Sequence, residues 1–508
     1  MSWRLAALLL LACTPALAQP APRVFRVAAA HDLATLDPHQ PDTQGLGLLS
    51  NIYESLVRRG PELDLQPGLA ERWDRVSPTR WRFHLRAAAW QDGGALTAED
   101  AAYSLRRAGE GPFASRTATI AAMRATGPRT LEIDTVVPDP MLLANLAALP
   151  LISRAWCEAH RTGSSCDAWL ATHANGTGPY RLAQHRPGLT TELERWPGWW
   201  DRPSPASAPV LPPPPTRAVF TPMPDPGARE AALLAGDADL IDSPAVERLP
   251  ILAANPALQL LLGPSLRVVY LGIGVRDGPL AAPDIRRALL AAIDVAGLRA
   301  RVMHGQSTPA ALPIAAGVSG YDPAIARPPY DPAAARAAIH AAYPDGLDLV
   351  LHCPAGVLVE DQALCHALVP MLAEVGVRLG IDTATPVATG NGLWLASTLP
   401  ASFDAFDTLH ALLMCSPAPD RPQGLHGQGH ANAGGFCDPG LDQVAIQAMG
   451  RTERAARSAE FTTAWRIVLD QMPLIPLHQQ AMAWATRRGL RLMQRPDGVL
   501  DLRSVQLP

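Results

Sequence analysis

Two histidines in a short glycine-rich run, His426-Gly427-Gln428-Gly429-His430, stand out as residues whose type and spacing could do chemistry. Imidazole is a common ligand for transition metals, and Cys437 follows closely. A bound metal also needs a third fixed ligand, and the run supplies none. The competing reading is a surface loop stapled by Cys415 and Cys437, so no metal site is assigned. Upstream, Asp404 and Asp407 precede the stretch LHALLMCSPAPD. Either carboxylate could pair with a ligand amine; the alternative roles are a helix cap or a solvated loop. Enzyme chemistry is poorly represented. No G-x-S-x-G elbow, P-loop or H-E-x-x-H occurs. Gly272-Ile273-Gly274 is a weak likeness of a dinucleotide loop, but the third glycine, Gly278, comes one place late. A plain strand is the stronger reading there, and no cofactor is expected.

The ends and the composition set the frame for these residues. The first stretch carries one basic residue, Arg4, an apolar run from Leu5 to Cys13 and the small-x-small site Ala16-Leu17-Ala18. That is the layout of a secretory signal peptide over residues 1–18, cut after Ala18. An alternative is a lipobox, Leu10-Leu11-Ala12-Cys13, in which Cys13 becomes a lipid-bearing terminus. Each buried CH₂ of such a lipid adds about 0.8 kcal/mol of membrane affinity. No later stretch is long and apolar enough to read as a transmembrane helix. Net charge is −4, which suggests no nucleic-acid partner. Every fixed cation is Arg, and no Lys occurs.

Six cysteines remain beyond Cys13, and they fall into three neighbouring couples. An even count in an exported chain favours disulfides, and the expected pairs are Cys157–Cys166, Cys353–Cys365 and Cys415–Cys437. Sequence does not fix connectivity. Each such link contributes about 2–4 kcal/mol. Metal binding by these cysteines is the weaker reading, because no C-x-x-C pair exists.

Strand-like and helix-like runs alternate along the chain. FRVAAA (25–30), WRFHLR (81–86) and TLEIDTV (130–136) read as strands. Apolar residues at Leu46, Leu49, Ile52, Tyr53, Leu56 and Val57 predict a helix over 45–58. Thr97 is a good N-cap, with Glu99 and Asp100 suited to the first turn. A hairpin is expected around Arg186-Pro187-Gly188, and a surface loop at the proline-rich break from Pro203 to Pro215. A helix is predicted to end at Gly236, another to span Pro283 to Ala300, and a third to begin at Asp331-Pro332. The run RVVYLGIGV (267–275) is strongly β, LDLVLHC (347–353) is a strand, and Asp361 to Val375 and Glu453 to Asp470 are helical. The mixture implies several α/β layers.

Six motifs then occur in order. They are Thr35-Leu36-Asp37-Pro38-His39 with Ile52-Tyr53-Glu54-Ser55-Leu56-Val57; Leu65-Gln66-Pro67-Gly68-Leu69-Ala70-Glu71-Arg72-Trp73; and Trp81 to Arg86 with Trp90-Gln91-Asp92-Gly93 and Leu96 to Asp100. They continue with Asn175-Gly176-Thr177-Gly178-Pro179-Tyr180 and Arg195 to Trp200; Tyr270-Leu271-Gly272-Ile273 with Ile285 to Leu289; and Tyr330-Asp331-Pro332. In this order the chain resembles the bacterial extracellular solute-binding proteins of family 5, the oligopeptide, dipeptide and nickel type, over nearly its whole mature length. Tyr53 and Trp73 are expected in the core, and the glycines of Gly176-Thr177-Gly178 where backbones pass closely between two lobes.

The resemblance implies an α/β, two-lobed periplasmic binding protein fold of the type II, cluster C-like kind, with mixed sheets. Residues 23–264 plus 477–508 would form a large first lobe with an inserted subdomain, and 265–476 a hinge-linked second lobe. A short peptide or similar small solute would sit in the cleft and pass to an ABC permease complex in the inner membrane. A nickel chelate is the alternative cargo, and an enzyme or a sensor module on the same scaffold the other function classes. The protein would be a periplasmic monomer. The ligand-binding residues that the resemblance points to are Gln44, Leu46, Trp394, Asp404 and Asp407. The acid-rich pattern of peptide-binding members is blurred around the last three.

Overall fold

The computed structural model of the protein describes residues 23–40, 46–201, 213–384, 392–400, 402–416, 428–451 and 453–508. The expected leader with Cys13, Gln44, His426 and most of the proline-rich break lie outside the described residues.

The two longest strands, Leu258–Ile273 and Leu474–Arg487, run side by side and antiparallel through an 11-stranded mixed sheet. From Leu258↔Arg487 to Pro264↔Ala481 they pair in one half of the sheet; from Val268↔Gln479 to Gly272↔Leu474 they pair in the other. Between Pro264 and Val268 the register shifts. Pro264 has no N–H to give to a ladder, which suits it to an interruption. Side chains partly replace the missing bonds: Ser265 Oγ donates to Gln480 O at 2.8 Å, and Gln479 Nε2 to Ser265 O at 2.7 Å.

Beyond Leu474–Arg487, the sheet continues through Leu240–Asp242, Val24–Ala29, Arg217–Pro222, Thr190–Arg195 and Tyr180–Arg186. Beyond Leu258–Ile273 come Leu393–Thr398, Leu347–His352 and Val377–Asp382. Alternation along the long strand sorts side chains to two faces. Val269, Leu271 and Ile273 enter one core with Leu289 and Leu368; Val268 and Tyr270 enter another with Phe461 and Trp465. The first half has its own core around Phe25, Val27, Tyr180, Leu193 and Trp484. A separate four-stranded antiparallel sheet, Ala70–Ser77, Arg80–Leu85, Thr130–Thr135 and Ile120–Gly127, packs on the helix Ala98–Gly109. That helix starts in a full capping box, Thr97 with Asp100.

Disulfides join Cys157 to Cys166, Cys353 to Cys365 and Cys415 to Cys437. The hairpin forms with Gly188 at φ +74°, and the helix Pro226–Ala235 stops at Gly236 with φ +83°. Tyr53 is 2% exposed, whereas Trp73 is only partly buried, against Phe83.

Three sequence expectations need correction. The helix over 45–58 is instead a short 3₁₀ turn, Leu48–Asn51, followed by extended chain. The carbonyls of Ile52, Glu54, Ser55 and Leu56 accept from Gly178, Leu151, Leu69 and Gly68, so distant segments take the bonds that a helix would make internally. The helix over 283–300 breaks in two, Pro283–Ala292 and Val295–Arg301. Ile293 is extended, and Asp294 caps the second piece by accepting from Gly297 N at 2.7 Å. Finally, Gly176 and Gly178 press against the Asn51–Ile52 backbone of the same half, where a Cβ on Gly176 would sit 1.9 Å from Ile52 O. The close approach they permit is within the first half of the protein, not between halves.

His478, in the second long strand, is 3% exposed, and its Nε2 has no hydrogen-bond partner among the described residues. Burial pushes its pKa down to about 4. The folded protein therefore binds fewer protons there than the unfolded chain, so stability is present above pH 6.5 and is lost as pH falls toward 4. Denaturant titrations should show a loss of about 3 kcal/mol across that window, and His478→Gln should flatten it. A profile that the substitution leaves unchanged would refute this assignment.

Candidate functional site

A cleft of about 880 Å³ opens where the two halves of the sheet meet. Its floor is the interrupted stretch of the long strands, Ser265, Leu266 and Arg267 on one and Gln480 to Trp484 on the other. The first half contributes Leu46, Ser50, Glu54, Arg58 and Arg59, then Phe113 and Arg116 from the segment around helix Ala114–Thr117, and Asp242 with Ser243 at the end of strand Leu240–Asp242. The second half contributes Val357, Leu358, Val359, Ser397, Leu399 and Phe403. The C-terminal turn closes one side with Arg495, Asp497, Asp501 and Arg503.

Arg59 reaches across this space. It follows the buried Val57 in a short strand of the first half, yet its Nη2 donates to Ser402 O and its guanidinium lies 4.4 Å from the Phe403 ring centroid. Burial lowers its pKa to about 10, so it stays cationic at neutral pH. Burial also lowers Arg116 and Arg267; Arg267 Nη1 donates to Ser397 Oγ at 2.8 Å. The carboxylates are engaged. Glu54 accepts from Thr177 Oγ1, Trp199 Nε1 and Trp200 Nε1 at 3.0, 3.2 and 2.9 Å, and burial outweighs these bonds to raise its pKa. Asp497 pairs with Arg495, and Asp501 with Arg503, each at 2.6 Å. Gln480 Oε1 is buried with no hydrogen-bond partner among the described residues, an acceptor available to an N–H in the cleft. Chemically, the arrangement binds: it offers fixed cations, an amide acceptor and apolar walls.

Of the residues expected from sequence, Leu46 lines the cleft. Trp394 does not. It is 7% exposed and packs flat on Gly272, where a Cβ would meet its Cε2 at 2.0 Å. Asp404 is 6% exposed; it caps the turn Ala405–Thr408 through Phe406 N and holds Arg457 in a two-bond ion pair of 2.5 and 2.9 Å. Asp407 stands behind the wall at Phe403 and accepts from Ser402 N and Oγ at 2.6 and 2.7 Å; burial raises its pKa, with Arg116 opposing. His430 lies with its ring centroid 6.4 Å from that of His410. Among the described residues no three His, Cys, Asp or Glu side chains are grouped to hold a metal. Sequence reasoning missed Arg59, Arg116 and Arg267. The only signal was Arg58-Arg59 directly after an apolar motif.

Comparison with known proteins gives the same architecture. The profile of "Bacterial extracellular solute-binding proteins, family 5 Middle" matches residues 64–415. The "Probable ABC transporter periplasmic-binding protein SapA" of Escherichia coli (strain K12) is 24% identical over 488 residues, covering 89% of this chain and 86% of its own length. The "Glutathione-binding protein GsiB" of Shigella dysenteriae is 24% identical over 494 residues, covering 91% and 90%. The periplasmic binding protein DppA from Helicobacter pylori, solved with the peptide STSA, superposes with a TM-score of 0.79 at 19% identity over 95% of this chain and 98% of that one. The fold is thus a two-lobed periplasmic binding protein fold with mixed sheets.

The Asp404–Arg457 pair supplies a direct test of what Asp404 does. Both side chains are about a tenth exposed or less. Asp404→Asn leaves the guanidinium buried without its charge and should cost about 3–5 kcal/mol in denaturant unfolding. Solute affinity of the folded fraction should not change; a loss of affinity at unchanged stability would place Asp404 in the binding site instead.

Proposed function

Because this chain belongs to the bacterial extracellular solute-binding proteins of family 5, we propose that it captures a small solute between its lobes and delivers it to an ABC-type membrane permease. The observation that carries this reading is the 880 Å³ cleft walled by both halves and floored by the two strands that join them. Its volume falls within the range of small-molecule sites, about 300–1,000 Å³. The first lobe comprises residues 23–264 with 477–508 and the second 265–476, and bending at the interrupted stretch closes one on the other. A short peptide is the cargo, consistent with relatives whose names specify peptides or glutathione. The unpartnered Gln480 Oε1 suits a peptide N–H, and Leu46 with Phe403 forms apolar wall. The protein works in the periplasm, reached through the leader that ends at Ala18, and acts as a monomer. Family and relatives are transport proteins rather than enzymes.

Native mass spectrometry of protein purified from its own host should show a bound small molecule that denaturation releases as one or a few peptides. A ligand-free mass, together with no thermal shift across a solute library, would refute solute capture.

A further inference from the structure

Among the described residues the cleft lining carries six arginines against four carboxylates. Arg495 and Arg503 have their own carboxylates, and Arg58 has Asp201 at 3.1 Å. Of the carboxylates left, Glu54 is occupied by its three donors, and Asp242 accepts from Ala30 N at 2.7 Å. Arg59 and Arg116 remain. Among the described residues neither has a carboxylate within 4.0 Å. Asp497 and Asp407 act on Arg59, and Asp407 on Arg116, only at longer range, while Asp407 accepts from Ser402 N and Oγ. Arg59 spends its donors on the carbonyls of Leu63 and Ser402, and the Arg116 guanidinium lies over the Phe113 ring, 5.5 Å from its centroid. Arg267, which donates to Ser397 Oγ at 2.8 Å, also lines the floor.

Holding cations in a desolvated cleft without matching anions costs stability, and a negatively charged ligand removes that cost. Guanidinium presents a planar fork that fits carboxylate oxygens two at a time. A cationic solute would meet like charge on one wall and on the floor. A neutral one would leave the imbalance as it is.

We propose that the captured solute carries net negative charge, as an acidic short peptide does, with its carboxylates held by Arg116 together with Arg59. This rests on the solute-capture reading above and adds the charge of the cargo to it.

The test is calorimetric titration of protein freed of ligand by unfolding and refolding, with triglutamate, trialanine and trilysine as probes, alongside the native mass measurement. Triglutamate should bind at least about tenfold tighter than trialanine, and trilysine should not compete. Arg116→Gln should abolish that preference and Arg116→Lys should restore much of it, which separates charge from folding. Trialanine or trilysine binding as tightly as triglutamate, or a preference unmoved by Arg116→Gln, overturns the proposal while leaving solute capture intact. If none of the three binds, the solute released from native protein decides: an anion sustains the proposal and a neutral or cationic solute overturns it. No released solute and no binding refutes both readings together.

Discussion

The pairing of Leu258–Ile273 with Leu474–Arg487 is the constraint on which everything else depends. These are the only long elements that belong to both halves of the sheet among the described residues, and they lie next to each other. A single crossing would let the halves rotate freely, and several spread across the sheet would lock them. Two adjacent strands with a weakened stretch at Pro264–Val268 leave essentially one soft direction. The same stretch is the floor of the cleft, which Arg267 and Gln480 line.

Arginine carries much of the remaining organisation. Deep in the first half, Arg229 donates to the carbonyls of Met223, Pro224, Asp242 and Ser243. In the second half, Arg286 does the same for Leu280, Ala281 and Gln471. A five-donor fork satisfies several loop carbonyls at once, which an ammonium on a flexible stem does less well. In the cleft, Arg59 likewise donates to the carbonyls of Leu63 and Ser402. Without Lys in the chain, residue type cannot separate the two uses, and this is why Arg59, Arg116 and Arg267 were invisible in the sequence.

What the sequence did make legible was local. Thr97 with Asp100, the turn at Gly188, the stop at Gly236 and the cap at Asp331 each depend on neighbours within a few residues. The segment 45–58 has a helical apolar pattern, but its carbonyls bond to segments far along the chain, and pattern does not record partners. The candidate site followed the same rule. Asp404 reads as a free carboxylate until Arg457, more than fifty residues later, arrives beside it. Trp394 reads as a cleft aromatic until Gly272 offers it a flat backbone to lie on.

The disulfides join each cysteine to the next one along the chain: 157 to 166, 353 to 365, 415 to 437. None ties one half of the protein to the other, so oxidation stiffens each half and leaves the bend between them alone. The order also matters as the exported chain is oxidised. In an interleaved scheme an early cysteine must wait for a late one, and a premature bond has to be undone by exchange. Here each of the three described links joins consecutive cysteines, so none of them has to be undone to let another close.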